Sequence, residues 1–133
     1  KPNVLIEANR LVLDSVDRKI EGEVDGSSII QGRVDIAEGA KIKNSHIRGP
    51  VIIAEGAKIT DSYIGPYTSL NKNAHIKNSE VEFSIIMQEV KIYNQNTRLE
   101  NSIVGKNAAV AKSLKKPAAN KFIIGENSRV FLL

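Results

Sequence analysis

Cysteine and tryptophan are missing from this sequence, and large side chains of any kind are scarce. The 133 residues include no Cys, no Trp, 1 Met, 3 Phe and 3 Tyr. Without Cys there can be no disulfide, no thiolate chemistry and no cysteine-bound zinc, and the composition fits a cytoplasmic protein. The apolar residues, 41% of the chain, are mostly Ile, Val, Leu and Ala. Such small aliphatic side chains suit a core of many similar layers better than a mixed globular core.

Long apolar runs, dense basic clusters and secretion signals are also absent. No apolar run approaches the roughly 20 residues that span a bilayer, and the amino terminus does not resemble a signal peptide. The net charge is only +4, without the aromatic platforms of nucleic-acid binders. The densest basic stretch, 112–121, predicts a solvated loop. We therefore expect one domain that binds neither membrane nor nucleic acid, and Lys1-Pro2 indicates that it continues a longer protein.

A repeated phrase organises most of the chain. Ile36-Ala-Glu-Gly-Ala-Lys-Ile42 returns 17 residues later as Ile53-Ala-Glu-Gly-Ala-Lys-Ile59 and, less closely, as Leu70-Asn-Lys-Asn-Ala-His-Ile76. We align three further phrases with these, beginning at Tyr93, Val104 and Ile124. The fourth position of the six phrases holds only Gly or Asn: Gly39, Gly56, Asn73, Asn96, Asn107 and Asn127. Because Gly and Asn best tolerate positive φ, this column predicts a corner with left-handed backbone.

The neighbouring columns describe the inside of each coil. The fifth position holds small residues, such as Ala40 and Ala57, and the first and seventh hold aliphatic residues that we expect to point inward. Each six-residue unit is then a short strand and a corner, and three units complete a coil that stacks about 4.8 Å from the next. No coil can bury its aliphatic face alone. The pattern predicts an all-β fold, a left-handed parallel β-helix, with the hand indicated by the hexapeptide motif and not by general crossover preference.

The spacing of a second phrase defines the period and one irregularity. An Asn-Ser or Asp-Ser pair recurs at Asn44, Asp61, Asn78 and Asn101, and it shortens one side of the triangle to five residues. Ile47 and Val104 are 57 residues apart, which is three periods of 17 plus six. We therefore expect one extra hexapeptide near 84–92, which either loops out or turns the later phrases onto the next face.

A helix is predicted ahead of the repeat, over residues 2–14. Pro2 suits a first helical turn, and Leu5, Ala8, Leu11 and Val12 form an apolar stripe. We divide the chain into 1–18, a helix and connector, and 19–133, a β-helix domain with a C-terminal capping segment. Since open strand edges must be covered, residues 2–14 could cap the first coil and residues 112–133 the last.

One basic column is the candidate binding surface. Lys41, Lys58, His75, Arg98 and Arg129 would stack as a basic ridge along the β-helix. Two interpretations are open. Glu38 and Glu55 could offset these charges, which then only protect the sheet surface, or the ridge could dock an acidic partner or a nucleotide effector.

The remaining polar columns are interpreted as structural. His46 shares an outward column with Tyr63, Glu80 and Ile103, and we interpret both His46 and His75 as surface histidines. The serine column is expected to make corner hydrogen bonds rather than to supply nucleophiles: Ser45, Ser62, Ser79 and Ser102.

Several phrases resemble one enzyme family. They are Leu5-Ile-Glu-Ala-Asn-Arg-Leu-Val-Leu-Asp14, Ile20-Glu-Gly-Glu-Val24, Tyr63-Ile-Gly-Pro-Tyr-Thr-Ser69 and Leu99-Glu-Asn-Ser-Ile-Val-Gly105. In them the chain resembles the C-terminal part of the long, archaeal and actinobacterial type of glucose-1-phosphate thymidylyltransferase. The resemblance implies a parent enzyme that uses Mg²⁺ to join dTTP and glucose 1-phosphate into dTDP-glucose and pyrophosphate.

The resemblance also implies where the chemistry lies. In this family the nucleotide loop, the catalytic lysine and the magnesium-binding aspartates belong to an N-terminal domain, so no catalytic, cofactor or metal residue is assigned to this chain. It would be the scaffold that orders, caps or oligomerises that domain, with a homotrimer expected by analogy and Tyr63, Tyr67 and Phe83 packing against other subunits.

A hexapeptide acetyltransferase that acts on an amino sugar phosphate with acetyl-CoA is the alternative function. The same fold hosts both activities, so fold alone does not decide between them. Acetyl transfer needs a histidine base and a loop that completes the pocket. The sequence offers His46, His75 and the short segment 112–121, without an obvious carboxylate to orient either histidine.

Overall fold

The computed structural model describes residues 2–112 and 129–131, and these form one helix followed by a coiled stack of short strands. The helix α1 is Pro2–Leu13. The strands of the first two coils are β1 (Lys19–Ile20), β2 (Glu23–Val24), β3 (Ile29–Gln31), β4 (Val34–Ile36), β5 (Lys41–Lys43) and β6 (His46–Arg48). Those of the next two are β7 (Val51–Ile53), β8 (Lys58–Thr60), β9 (Tyr63–Ile64), β10 (Thr68–Leu70), β11 (His75–Lys77) and β12 (Glu80–Glu82). The last are β13 (Ile85–Ile86), β14 (Lys91–Tyr93), β15 (Leu99–Glu100), β16 (Ile103–Val104) and β17 (Ala109–Ala111).

Every third strand lies in the same sheet, so the stack is a three-sided prism. Face A holds β1, β4, β7, β10, β13 and β16; face B holds β2, β5, β8, β11, β14 and β17; face C holds β3, β6, β9, β12 and β15. All pairings between described strands are parallel, for example Ile36 with Ile53 on face A and Ile42 with Ile59 on face B. The predicted left-handed parallel β-helix is confirmed.

Stacked aliphatic side chains fill the prism because each coil turns residues of its short strands inward, one from a strand such as β5 and two from a strand such as β4. The core is a single cluster of seventeen buried residues: Val34, Ile36, Ala40, Ile42, Ile47, Val51, Ile53, Ala57, Ile59, Ile64, Leu70, Ala74, Ile76, Val81, Ile86, Val90 and Ile92. No side chain in it is larger than Leu or Ile, which explains the scarcity of aromatic residues. At roughly 1.5–3 kcal/mol for each buried Val, Leu or Ile, this stack is the main source of stability.

The backbone turns left at each of the three corners, which we name AB, BC and CA after the faces that they join. Corner AB contains the predicted Gly39, Gly56, Asn73 and Asn107, all with positive φ. Corner BC has its own column of Asn44, Asp61, Asn78 and Asn94, and corner CA has Gly32, Tyr67, Phe83 and Asn101. The sequence analysis assigned left-handed backbone only to the first of these columns. It recognised most of corner BC only as the Asn-Ser or Asp-Ser pair that shortens one side, and Tyr67 and Phe83 at corner CA are not residue types that predict positive φ.

The phrase from Tyr93 to Leu99 was aligned wrongly. Ile92, and not Leu99, pairs with Ile76 on face B, so the corner residue of that coil is Glu89, with a φ of 61°, and not Asn96. Thr97 is exposed, and the buried position next to the corner is held by Val90. Asn127 lies outside the described residues.

The structure decides between the two outcomes expected for the extra hexapeptide. Residues 84–92 do not loop out, and the phrase that begins at Asn101 lies one face further on, with Val104 beside Ile86 on face A whereas Ile47 lies on face C. Residues 84–92 form part of a regular coil, because Ile85 pairs with both Ser69 and Ile103. The frame changes instead at corner BC, where Ile92 and Leu99 are seven residues apart, whereas Ile76 and Val81 are five. Two residues are therefore added at a solvent-facing corner, which leaves the inward positions of later coils in register.

The helix α1 packs along face A and not over the end of the first coil. Leu13 and Val16 are buried, and the Ser69 hydroxyl donates to Asn9 Oδ1 at 2.5 Å. The Tyr67 hydroxyl donates to Asp14 Oδ1 at 2.6 Å. Since Tyr67 and Ser69 lie at the fourth strand of face A, the expected cap on the first coil is not formed by this helix. No helix of the described residues is long and apolar enough to cross a membrane.

Candidate functional site

The outward side of face C carries the densest polar network of the described residues. His46, Tyr63 and Glu80 stack in one column, because β6, β9 and β12 pair in register. The predicted fourth member, Ile103, is wrong: it lies on face A, paired with Ile85. Arg98 takes this place instead, since it directly precedes Leu99, the partner of Val81.

Arg98 is the centre of this network. Its guanidinium donates to Glu80 Oε1 at 2.8 Å and lies 3.1 Å from Glu82 Oε1 and 3.7 Å from Glu100 Oε1. The guanidinium carbon also lies 5.1 Å from the centre of the Tyr63 ring, which is within the range of a cation–π contact. The hydrogen bond to Glu80 and the surrounding carboxylates raise the pKa of Arg98.

Tyr63 joins the acidic and histidine parts of the column. Its hydroxyl donates to Glu82 Oε2 at 2.8 Å. The pKa of the phenol is raised, mainly because the group is partly buried and secondly because it donates this hydrogen bond to Glu82. The His46 ring meets Tyr63 edge-on, with ring centres 5.6 Å apart, and its Nε2 lies 2.7 Å from Gln31 Oε1. We name this set the face C network: Gln31, His46, Tyr63, Glu80, Glu82 and Arg98.

An open polar groove of about 560 Å³ runs beside the network along corner BC. Its floor is the corner ladder, in which Asn44 Nδ2 donates to Asp61 Oδ1 at 2.7 Å and Asn78 Nδ2 donates to Asn94 Oδ1 at 3.1 Å. His46 and Tyr63 form part of one wall. The groove is polar and open to solvent, and Asn44 and Asp61 in its lining bond to each other.

Neither histidine has the partner that acid–base catalysis requires. Among the described residues neither His46 nor His75 donates a hydrogen bond to a carboxylate, and His46 pairs with the amide oxygen of Gln31 instead. A general base normally needs an orienting acceptor as well as access to substrate. No group of three His, Asp or Glu in the described part of the chain could hold a metal ion.

The structure revises the predicted basic ridge. Lys41, Lys58 and His75 stack on face B as expected, but the next position is Lys91 and not Arg98. Arg98 was misplaced because the two added residues at corner BC were not recognised. Arg129 belongs to no strand of the described residues. The ridge is therefore Lys41, Lys58, His75 and Lys91, and its role in binding a partner stays a prediction.

The surroundings of His75 on the ridge lower the pKa of its imidazole. Burial is the main cause, and the ammonium groups of Lys58 and Lys91 add to it, so the pKa of His75 falls below 6.5, with Glu89 opposing the shift. Glu55, one of the two carboxylates expected to offset the ridge, pairs with Lys72 Nζ at 2.9 Å. The position of His75 between two lysines therefore favours the neutral form of its ring.

The serine column makes the corner hydrogen bonds that the sequence predicts, with one change of member. Ser45, Ser62 and Ser79 each donate to the carbonyl two residues earlier, and each hydroxyl accepts the next coil's backbone N–H. Ser102 belongs to corner CA, where its N–H donates to the Ser84 hydroxyl at 3.1 Å. Gln95 occupies the fourth position at corner BC.

The face C network is the group of residues that the sequence reading missed. Its signal was present, since His46, Tyr63 and Glu80 share a column at the 17-residue period. Arg98 could be added only after the longer corner had been located. Tyr63 also lies on a different surface from Tyr67 and Phe83, whose rings stack 5.7 Å apart at corner CA.

Comparisons with known proteins agree with the predicted resemblance. Residues 47–131 match the family model of the GMPPB C-terminal domain. The chain is 45% identical over 126 residues to a glucose-1-phosphate thymidylyltransferase of Streptomyces antibioticus, which covers 95% of this chain and 35% of that protein. It is 41% identical over 135 residues to the low-salt glycan biosynthesis nucleotidyltransferase Agl11 of Haloferax volcanii, which covers 99% of this chain and 38% of that protein.

Two further similarities involve proteins named for acetyl transfer or for two activities. The bifunctional protein GlmU of Methanocaldococcus jannaschii is 42% identical over 110 residues, which is 80% of this chain and 27% of that protein. A putative acetyltransferase structure from Bacillus cereus is 18% identical and covers 67% of this chain and 68% of its own, with a TM-score of 0.45, too low to carry an argument.

The chain spans about a third of the length of the curated relatives that it matches, and it matches the C-terminal part of the thymidylyltransferases. The family match extends over more than half of the chain and includes the coils that carry Arg98 and the ladder of Ser62 and Ser79. This chain belongs to the GMPPB C-terminal domain family.

Proposed function

We propose that this chain is the scaffold and assembly domain of a cytoplasmic glucose-1-phosphate thymidylyltransferase. In the whole protein, the preceding part of the polypeptide would join dTTP and glucose 1-phosphate and release pyrophosphate, with Mg²⁺ bound there. The observation that carries the proposal is the 45% identity to an enzyme of that name along 95% of this chain. A match that includes α1 as well as the coils indicates a shared junction and not only a shared fold.

The geometry supports a scaffold because the helix at the junction is held rigidly. Asn9 and Asp14 of the α1 segment bond to Ser69 and Tyr67 of face A. Arg33 Nη1 donates to the Asp14 carbonyl at 2.6 Å, which ties the end of the helix to corner CA. A domain ahead of α1 would therefore have a defined direction relative to the prism.

We propose a homotrimer as the assembled state. A prism presents flat faces, and contacts between different faces of identical copies close into rings when the rotation allows it. The half-buried face C network offers an aromatic ring and charges of both signs for such a contact. Light scattering of the full-length protein should give three times the mass of one chain.

The proposal is tested with the full-length protein and with this 133-residue chain. Pyrophosphate release from dTTP and glucose 1-phosphate is measured with Mg²⁺, and acetyl transfer from acetyl-CoA to glucosamine 1-phosphate is measured in parallel. We expect the full-length protein to release pyrophosphate and the chain alone to catalyse neither reaction. A full-length protein without thymidylyl transfer would reject the proposal.

Acetyl transfer is retained as the alternative because a relative is named a bifunctional protein. It predicts that the full-length protein acetylates the amino sugar phosphate and that His46→Ala or His75→Ala abolishes this activity. Neither histidine bonds to a carboxylate in the described part of the chain, which argues against this outcome.

A further inference from the structure

The helix α1 exposes an apolar stripe that the β-helix does not use. Val4, Leu5, Leu11 and Val12 are 62%, 55%, 65% and 60% exposed, and Ala8 is exposed between them. At about 100° per residue these five side chains fall within an arc of roughly 120°. Nothing in the described part of the chain covers them, although the same helix buries Leu13. The stripe that the sequence predicted is therefore real but faces away from the coils.

The helix cannot turn this stripe inward. Asn9 accepts from the Ser69 hydroxyl and Leu13 is fully buried, so the side of α1 that contains them is held on face A. Arg10 lies over the Tyr67 ring at 5.6 Å and fixes one flank. Contiguous exposed apolar side chains rimmed by polar residues mark interaction surfaces. One side of the helix thus belongs to the prism and the other is available to a second body.

The size of the stripe favours a tethered partner. A 12-residue helix is about 18 Å long and about 11 Å across, so a third of its surface is on the order of 200 Å². A stable complex between separate proteins buries about 800 Å² on each partner, which is several times more. A partner on the same chain needs less area, because its effective concentration is in the millimolar range.

The relatives indicate which tethered segment is present. This chain covers about a third of their length and matches their C-terminal part. In the relatives, the rest of the polypeptide therefore lies ahead of the segment that corresponds to α1. We infer that the apolar stripe of α1 is the surface on which this preceding domain packs, through contacts with Val4, Leu5, Ala8, Leu11 and Val12. The helix is then a two-sided adaptor that couples the preceding domain rigidly to the β-helix. The inference rests on the proposed function only in requiring such a domain.

The test uses the full-length protein with Leu11→Lys and Val12→Lys together. Lysine is a good helix former, so α1 itself is not weakened, but two charges enter the proposed interface. We expect limited proteolysis in the residues just ahead of Lys1 to accelerate about tenfold or more, because the burial of two aliphatic side chains is lost. The mass of the assembly should not change.

The matched control is Ile29→Lys, which replaces a 53% exposed aliphatic residue on face C and should leave this cleavage rate unaltered. The milder pair Leu11→Ser and Val12→Thr should give a smaller acceleration. Equal cleavage rates in wild type and both stripe variants would overturn the inference. A fall in the mass of the assembly without faster cleavage would also overturn it, because the stripe would then contact a second copy of the chain. Proteolysis needs no substrate, so it can succeed or fail independently of thymidylyl transfer.

Discussion

Ser62 shows how one small hydroxyl serves three coils. Its Oγ donates to the Thr60 carbonyl at 2.8 Å and accepts the Ser79 N–H at 3.2 Å, while its own N–H donates to Ser45 Oγ. All three serines are buried. Serine suits this corner because its hydroxyl both donates and accepts a hydrogen bond, whereas alanine offers no acceptor.

Ser62→Ala should lower the free energy of unfolding by about 1–3 kcal/mol, because the buried Ser79 N–H loses its acceptor. Thr68→Val is the control, for which we do not expect a lower free energy of unfolding. The Thr68 Oγ1 atom is buried without a hydrogen-bond partner in the described residues, so its removal should be neutral or stabilising. Urea unfolding of the two variants measures both effects, and equal destabilisation would contradict the assignment.

His75 should make stability depend on pH. Its pKa in the folded chain is below 6.5 because of burial and then Lys58 and Lys91, so the unfolded state binds the proton more readily. The stability that neutral His75 contributes is complete above 6.5 and is lost as pH falls from there towards the folded pKa. The melting temperature should drop as the pH falls below about 6.5, and it should drop less in His75→Gln. An equal drop in that variant would assign the effect elsewhere.

At the scale of the strands, the basic ridge depends on the pairing of β5, β8, β11 and β14. If it docks an acidic partner surface or a nucleotide effector, Lys41→Glu with Lys58→Glu should dissociate the full-length assembly or weaken its binding of dTTP at low salt, where exposed charges interact most. Lys43→Glu with Lys77→Glu, on the other outward column of face B, is the matched control. If neither the mass of the assembly nor its affinity for dTTP changes, the ridge only protects the sheet surface and does not dock a partner.

The corners tolerate variation in length that the faces do not. The two residues added between β14 and β15 project at corner BC, so Leu99 still pairs with Val81 and stays on face C. A single residue added within a strand would instead exchange its inward and outward side chains. The 17-residue period is therefore an average over coils and not a rule that each coil obeys.

At the scale of the whole molecule, stability comes from contacts along the prism axis, whereas the proposed functional surfaces lie on the outward sides of the three faces. Along the prism axis each coil contacts only its neighbours, so stability accumulates coil by coil. Across the axis, the faces differ: face A holds α1, face B the basic ridge and face C the network around Arg98. Both proposals place the functional contacts of this domain on its sides, where the outward side chains vary without disturbing the core.

We could predict the fold class, the left-turning corner AB, the helix near residues 2–13 and the serine ladder from the sequence alone. These follow from local chemistry, since Gly or Asn accepts positive φ and alternate aliphatic residues must be buried. Three features became clear only from the folded chain. They are the assignment of residues after Ile92 to faces, the presence of Lys91 in the ridge in place of Arg98, and the direction in which the α1 stripe points. Each of these depends on which residues pair across coils or on how a helix rotates about its axis. The repeat did not reveal them, because the corner of changed length interrupts the 17-residue period and the helix lies outside it.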